Sequence, residues 1–248
     1  QRFPNIQFYE GVLRCGLHKV PPLAKGLPWP EVRDLTLKGG RHTGDLETEH
    51  RPHHRMLYVH CDGNERIEPN TSSIVNTEQA EATAHIVWCL TTPYDPGKSP
   101  TILVLTPYRA QLNQLTRDLK HYDPNKVRVS TIDAAQGQEA DIVVISFVRA
   151  NAAGNAGFTD DANRLNVAIT RAKAGVIIVG HVATSLAAAT SGFGQLLFDL
   201  RLQGAIYKYM PTWPDGTTRL RRMATEEFDK IERSFPPEHI DERRRKKT

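Results

Sequence analysis

Three stretches of consecutive apolar residues constrain this chain more than any other feature: Ile102-Leu103-Val104-Leu105, Ile142-Val143-Val144-Ile145 and Val176-Ile177-Ile178-Val179. A strand with one wet face alternates apolar and polar residues, so runs without alternation belong to strands buried on both faces. Segments of helical periodicity lie between them, and that combination specifies a mostly parallel sheet with helices on both faces, an α/β fold. Strands are expected at 57–60, 101–106, 142–148 and 176–180, and helices at 77–90, 108–120, 161–172 and 194–203. A last amphipathic helix is expected over 224–233.

Outside this alternating region the pattern differs. Over residues 1–56, Pro4, Pro21, Pro22, Pro28 and Pro30 break any long helix, and Gly39-Gly40 leads into a stretch rich in His and Arg. His50, His53 and His54 have no Cys or carboxylate at ligand spacing, so a solvated loop is the expectation and no metal site is assigned. The composition, 39% hydrophobic and 24% charged over 248 residues, excludes a disordered tail or a fibre. No apolar run approaches the roughly 20 residues of a membrane span. The net charge of +4 owes +3 to residues 241–248, so it does not by itself indicate nucleic acid; a solvated tail, a non-specific RNA grip and a nuclear signal all remain open for that run. Cys15, Cys61 and Cys89 form no CxxC pair and are odd in number, which fits reduced thiols in an intracellular protein. Gln1 in place of Met is expected to mark a cut inside a longer polypeptide.

Gly97-Lys98-Ser99 imitates the end of a phosphate-binding P-loop, but Thr92 stands where the first Gly is needed, and Pro100 and a strand follow where a helix should begin. A surface turn is expected. Three other segments are more specific. Thr106-Pro107-Tyr108-Arg109-Ala110-Gln111 joins the end of a buried strand to a helix, where ligands of open α/β sheets collect. Residues 129–141, VSTIDAAQGQEAD, gather Thr, Gln, Gly, Glu and Asp in what reads as a loop ahead of an apolar strand that ends near Arg149. Residues 161–173, DANRLNVAITRAK, put Leu165, Ala168, Ile169 and Ala172 on one helical face, with Arg164 and Arg171 pointing elsewhere.

These segments resemble motifs IV, V and VI of superfamily 1 helicases, in the subgroup typified by the nonsense-mediated-decay RNA helicase: TPYxxQ, TxDxxQGxExDxVIxSxVR and DxRRLNVAxTRAK, in that order. Ser73-Ile74-Val75-Asn76-Thr77-Glu78-Gln79-Ala80 is similar to a family stretch SxxNxxEA, and Phe8-Tyr9-Glu10-Gly11-Val12-Leu13 to the segment after motif III, so the resemblance covers residues 1 to about 205. It implies a segment at 1–56 joining a preceding motor domain, a second RecA-like domain at 57–208, and an extension with a basic tail at 209–248. It implies ATP and Mg2+, with the Mg2+ ligands and the P-loop in the first RecA-like domain. The implied partners are that domain and single-stranded RNA or DNA, in the cytoplasm or nucleus.

By the same resemblance Arg171 is the arginine finger that reaches the γ-phosphate from across the cleft, and Gln136, Gly137, Glu139 and Arg164 line the same ATP-binding wall. Thr131 is by the same resemblance a nucleic-acid contact at the other end of the sheet; the Thr106-Pro107-Tyr108 loop, where Tyr108 could stack on a base, and Arg149 with Asn151, which could reach phosphates, are the other candidates there. Each residue also has a plainer reading. Arg171 could cap helix carbonyls, Glu139 and Arg164 could form ion pairs within the domain, Tyr108 could be half-buried packing, and Arg149 with Asn151 could stabilise a loop. Two positions depart from the family pattern. Asn163 replaces the first Arg of an Arg-Arg pair and removes a charge, and Gln79 replaces Glu on a helix expected to be structural. The competing reading of the whole chain is a degenerate, non-catalytic motor half that serves as a nucleic-acid-binding or protein-docking scaffold.

Overall fold

Each apolar run forms a strand in the computed structural model, which describes residues 24–29, 55–95, 97–157, 161–187, 193–211 and 219–234. The expectations for residues 1–23, for 30–54 with their histidines, and for the basic tail lie outside the described residues. In chain order the elements are β1 (Met56–His60), a hairpin of β2 (Arg66–Ile67) and β3 (Ile74–Val75), α1 (Thr77–Thr91), β4 (Ile102–Thr106), α2 (Arg109–Asp118) and β5 (Val127–Thr131). A 3-10 turn (Asp133–Ala135) then leads to β6 (Ala140–Ser146), α3 (Ala162–Thr170), β7 (Ala172–Gly180), α4 (Val182–Ala187), α5 (Phe193–Leu202), β8 (Ile206–Tyr209), β9 (Leu220–Arg222) and α6 (Thr225–Arg233).

The main sheet has the order β5-β4-β6-β7-β1-β8-β9, and only the β8–β9 pair is antiparallel. Connections through α1 and α2 step one way along this order, and those through α3, α4 and α5 step the other. Right-handed crossovers therefore place the two sets on opposite faces, as an α/β RecA-like fold requires. Residues 102–105, 142–145 and 177–179 are fully buried, which is why these strands carry no polar alternation. Trp29 lies over the start of β7, where Gly175 leaves room for it: a Cβ there would sit 2.8 Å from the indole ring. The false P-loop is an exposed turn, with Gly97 at φ +81° and Lys98 paired to Asp95 at 2.9 Å.

Some boundaries differ from expectation for definable reasons. Residues 127–131 belong to an edge strand rather than a loop, and its sequence, VRVST, alternates. The strand expected to reach Val148 stops at Ser146, because Val148 adopts φ +72°, outside β geometry. Helix α3 ends at Thr170, and β7 starts at Ala172 rather than Val176, with only Arg171 between them. The sheet continues past residue 208 into β9, and Phe228 of α6 is buried, so residues 220–233 are built into the same core.

A buried polar cluster ties the N-terminus of α1 to α2 and β6. Asn76 caps α1 by accepting the Gln79 N–H at 3.1 Å, and its Nδ2 donates to the carbonyls of Gly63 at 2.8 Å and Val148 at 3.1 Å. The Gln111 carboxamide accepts from the Asn76 N–H at 2.9 Å and donates to the Asn76 carbonyl and to Ser146 Oγ at 3.1 and 3.0 Å. Gln79 Oε1 accepts the Val148 N–H at 2.7 Å. All four side chains, Asn76, Gln79, Gln111 and Ser146, are fully buried. Gln79 is thus more than a helix-forming residue, and it fixes the strained end of β6. Asn76→Ala removes three hydrogen bonds in a dry site and is expected to cost roughly 2–4 kcal/mol. The measurement is a urea melt, in which the midpoint falls while the slope is unchanged.

Candidate functional site

The parallel register sorts the motif residues onto two opposite edges of the sheet. At the amino-terminal edge Ala140 pairs with Ala172, so Glu139 and Arg171, each one residue upstream, lie side by side; the Ala140 N–H donates to the Arg171 carbonyl at 3.1 Å. Glu139 Oε2 is 3.3 Å from Lys173 Nζ, both exposed, and its carbonyl accepts from Arg128 Nη2 at 2.7 Å. Arg171 is half-buried and folds onto the end of α3, with Nε donating to the Val167 carbonyl at 3.0 Å and Nη2 to Thr170 Oγ1 at 3.2 Å. A cation at a helix C-terminus is favoured by the exposed carbonyls, so this rest position is stable by itself. Gln136 and Gly137 are exposed, and Gly137 has φ +80° with open space where a Cβ would stand, a conformation that favours glycine and leaves its backbone approachable. Arg164 is separated from Arg171 by about 10 Å of helix. Its Nε is bonded to Asp133 Oδ1 at 2.9 Å, the ion pair within the domain that was its plainer reading.

At the carboxyl-terminal edge Thr106 and Thr131 are register partners at the ends of β4 and β5. Thr131 is half-buried and its Oγ1 accepts the Ala134 N–H at 3.2 Å, while Thr106 is fully buried and Pro107 half-buried beside it. Thr106 Oγ1 finds no hydrogen-bond partner among the described residues. Tyr108 is 6% exposed, and its hydroxyl accepts from Arg149 Nη1 at 3.3 Å. Arg149 Nε donates to Glu65 Oε2 at 2.9 Å, and its side chain is nearly enclosed. Motif matching assigns no individual role to Glu65, Asn76 or Gln111. Gln111 is the last residue of TPYxxQ and Asn76 the Asn of SxxNxxEA, so the motifs themselves carried that signal; Glu65 carried none.

Two histidines lie at the same edge. His60 Nδ1 accepts the Val182 N–H at 3.2 Å, which leaves the proton on Nε2, 2.9 Å from Asp62 Oδ1. That hydrogen bond, with Lys208 on the other carboxylate oxygen at 2.6 Å, holds Asp62 well below the usual carboxylate range. His181, bonded to Thr184 Oγ1 at 3.0 Å, is lowered from 6.5 to about 4, by burial first and by neighbouring His60 second. Among the described residues no group of His, Cys, Asp and Glu could hold a metal ion.

The His181 shift has a definite sign. Between pH 6.5 and about 4 the unfolded chain takes up a proton that the folded chain refuses, so stability is whole above 6.5 and falls as the pH drops through this window. His181→Asn keeps an acceptor but cannot titrate. The wild-type-minus-variant difference in unfolding free energy should therefore decline from pH 6.5 to 4; a flat difference would contradict the buried neutral imidazole.

With this geometry in place, the comparisons with known proteins agree on one family. A family model described as an AAA domain matches residues 1–183, from the start of the chain into α4, so both edges lie within the match. The chain is 34% identical over 188 residues to a regulator of nonsense transcripts 1 homolog of Neurospora crassa, covering 72% of this chain and 15% of that protein. It is 33% identical over 213 residues to the ATP-dependent helicase NAM7 of Saccharomyces cerevisiae, with coverage of 82% and 19%. It is also 40% identical over 182 residues to an uncharacterized ATP-dependent helicase of Methanocaldococcus jannaschii, with coverage of 72% and 24%. The chain spans less than a quarter of the length of each of these relatives. It belongs to the AAA-domain family, among the superfamily 1 helicases of the nonsense-transcript-regulator type.

Proposed function

We propose that this chain is the second RecA-like motor domain of an ATP-dependent superfamily 1 helicase, supplying the arginine finger at one edge of its sheet and part of a single-strand track at the other. The observation that carries this reading is the Ala140–Ala172 register, which brings the motif V acid Glu139 and the motif VI arginine Arg171 together at the start of β6 and β7, with the motif IV and V threonines at the opposite edge, at the ends of β4 and β5. ATP, with Mg2+, binds between this domain and a first RecA-like domain that holds the P-loop and the metal ligands. The residues here suit the phosphate end of that nucleotide. Arg171 rests on a neutral carbonyl, and a charged phosphoryl oxygen makes a stronger, charge-assisted bond, so the guanidinium transfers readily once phosphate is present. There it neutralises the charge that develops during phosphoryl transfer. Glu139 beside it is already balanced by Lys173, so the edge as a whole does not repel an anion. Single-stranded RNA or DNA lies across the carboxyl-terminal edge, held by its backbone.

The second reading, a non-catalytic scaffold, draws support from Asn163, which is exposed and uncharged where the family has Arg. One substitution separates the two. In the intact parent protein Arg171→Ala should lower the nucleic-acid-stimulated ATPase rate by roughly a thousandfold or more. Arg171→Lys should recover little, because an ammonium cannot form the forked contact. Loss of the helix-end bond should cost less than about 1 kcal/mol, so the fold persists. Near-normal ATPase in Arg171→Ala would sink the finger assignment and leave the scaffold.

The chain by itself should bind Mg-ATP weakly and hydrolyse none, since no GxxxxGK[ST] is present. Titration calorimetry that finds tight, Mg-dependent binding would contradict this.

A further inference from the structure

Arg149 stands where a strand-binding domain would be expected to place a phosphate contact. Its surroundings argue for a different task. Nε and Nη1 are bonded to Glu65 Oε2 and to the Tyr108 hydroxyl, and the Arg149 and Glu65 side chains are 12% and 17% exposed. Gly157, at φ +55°, packs its backbone onto the guanidinium: a Cβ there would lie 2.2 Å from Arg149 Nη1 and 2.8 Å from the Tyr108 hydroxyl. The carboxylate is equally committed. Glu65 Oε2 also accepts the Ala150 N–H at 2.7 Å and Asn151 Nδ2 at 3.1 Å, and the Glu65 N–H reaches the Ala150 carbonyl at 3.4 Å. The Asn151 N–H donates to Thr184 Oγ1 at 3.1 Å. One carboxylate oxygen therefore joins the loops that follow β1 and β6 and, through Arg149 and Asn151, the loop that follows β4 and helix α4.

We propose that Glu65 and Arg149 are a positioning pair for the strand-binding edge, and that Arg149 is not itself a phosphate ligand. This rests on the reading of that edge as a single-strand track. Drawing Arg149 onto a phosphate would leave Glu65 charged, largely desolvated and without its counter-ion, the state that buried ion pairs avoid. Burial alone would raise the Glu65 pKa, but the hydrogen bonds from Arg149, Asn151 and Ala150 outweigh it and hold it below the ordinary value, so the charged pair persists at neutral pH. The pair keeps the Thr106-Pro107-Tyr108 loop and residues 149–151 in fixed relation, and the strand is gripped by what those loops present.

The test separates a positioner from a ligand by salt dependence. Binding of the chain to a fluorescein-labelled single-stranded oligouridine is followed by anisotropy between about 50 and 200 mM salt. Arg149→Gln, Arg149→Lys and Glu65→Gln should each weaken binding about tenfold at every salt concentration, with the slope of log Kd against log salt unchanged. The double variant Glu65→Gln/Arg149→Gln should bind no worse than either single variant, because the two side chains act as one unit. A phosphate ligand behaves otherwise: Arg149→Gln lowers the slope by about one, Arg149→Lys keeps most of the affinity, and Glu65→Gln binds as well as wild type or better. That pattern, or unchanged binding in every variant, overturns the positioning pair and leaves the proposed function standing. A wild-type chain with no salt-dependent binding refutes the track itself, and the pair with it.

Discussion

The backbone of Asn76 is paired on both its N–H and its C=O with the carboxamide of Gln111, in a site from which water is excluded. A carboxamide has one acceptor and one donor end, so it can complete a peptide group as a neighbouring strand would. Much follows from this pairing. It joins the first turn of α1 to α2, and through Ser146 and the Asn76 side chain it reaches the end of β6. Val148 is held there in a backbone conformation that a β-branched residue rarely adopts, with its N–H taken by Gln79 of α1 and its C=O by the capping Asn76. That turn aims the chain at the Glu65 carboxylate. Residues scattered over three motifs are thus parts of one buried hydrogen-bond system, where removing any member leaves the others unsatisfied.

Parallel strands give the sheet two chemically different edges, and the motifs use both. Thr106 and Thr131 close adjacent strands at one end, while Glu139 and Arg171 open adjacent strands at the other. Among the described residues no hydrogen bond or ion pair joins the two groups directly. They are held apart by the length of β4, β6 and β7, whose middle residues are fully buried in the close-packed core.

How far the sequence could be read depended on burial. Strands β4, β6 and β7 were legible because double-sided burial demands unbroken apolarity. Strand β5 was not, because an edge strand tolerates the polar residues of VRVST, and these merged with the motif that follows. Strands β8 and β9, of four and three residues, are too short to show a period. In the site, Glu139 and Arg171 could be picked out by motif, but their adjacency is a property of register, which no single segment encodes. Glu65, in the polar run Asp62-Gly63-Asn64-Glu65-Arg66, looks like any surface acid. Gln79, on the helix expected to be structural, is fully buried; its Oε1 holds the Val148 N–H, a contact that no local pattern encodes, and its Nε2 has no hydrogen-bond partner among the described residues.

The direct passage from α3 into β7 has a mechanical consequence. With only Arg171 between the last helical residue and the first strand residue, there is no slack to absorb a displacement. A tug on that arginine is passed to a nine-residue strand, roughly 30 Å long, at the centre of the seven-stranded sheet. The far end of that strand leads into His181, which packs on His60 with ring centroids 5.3 Å apart. Strand β7 therefore spans the sheet from Arg171 at one edge to the histidine pair at the other, buried along its length from Ala174 to Gly180.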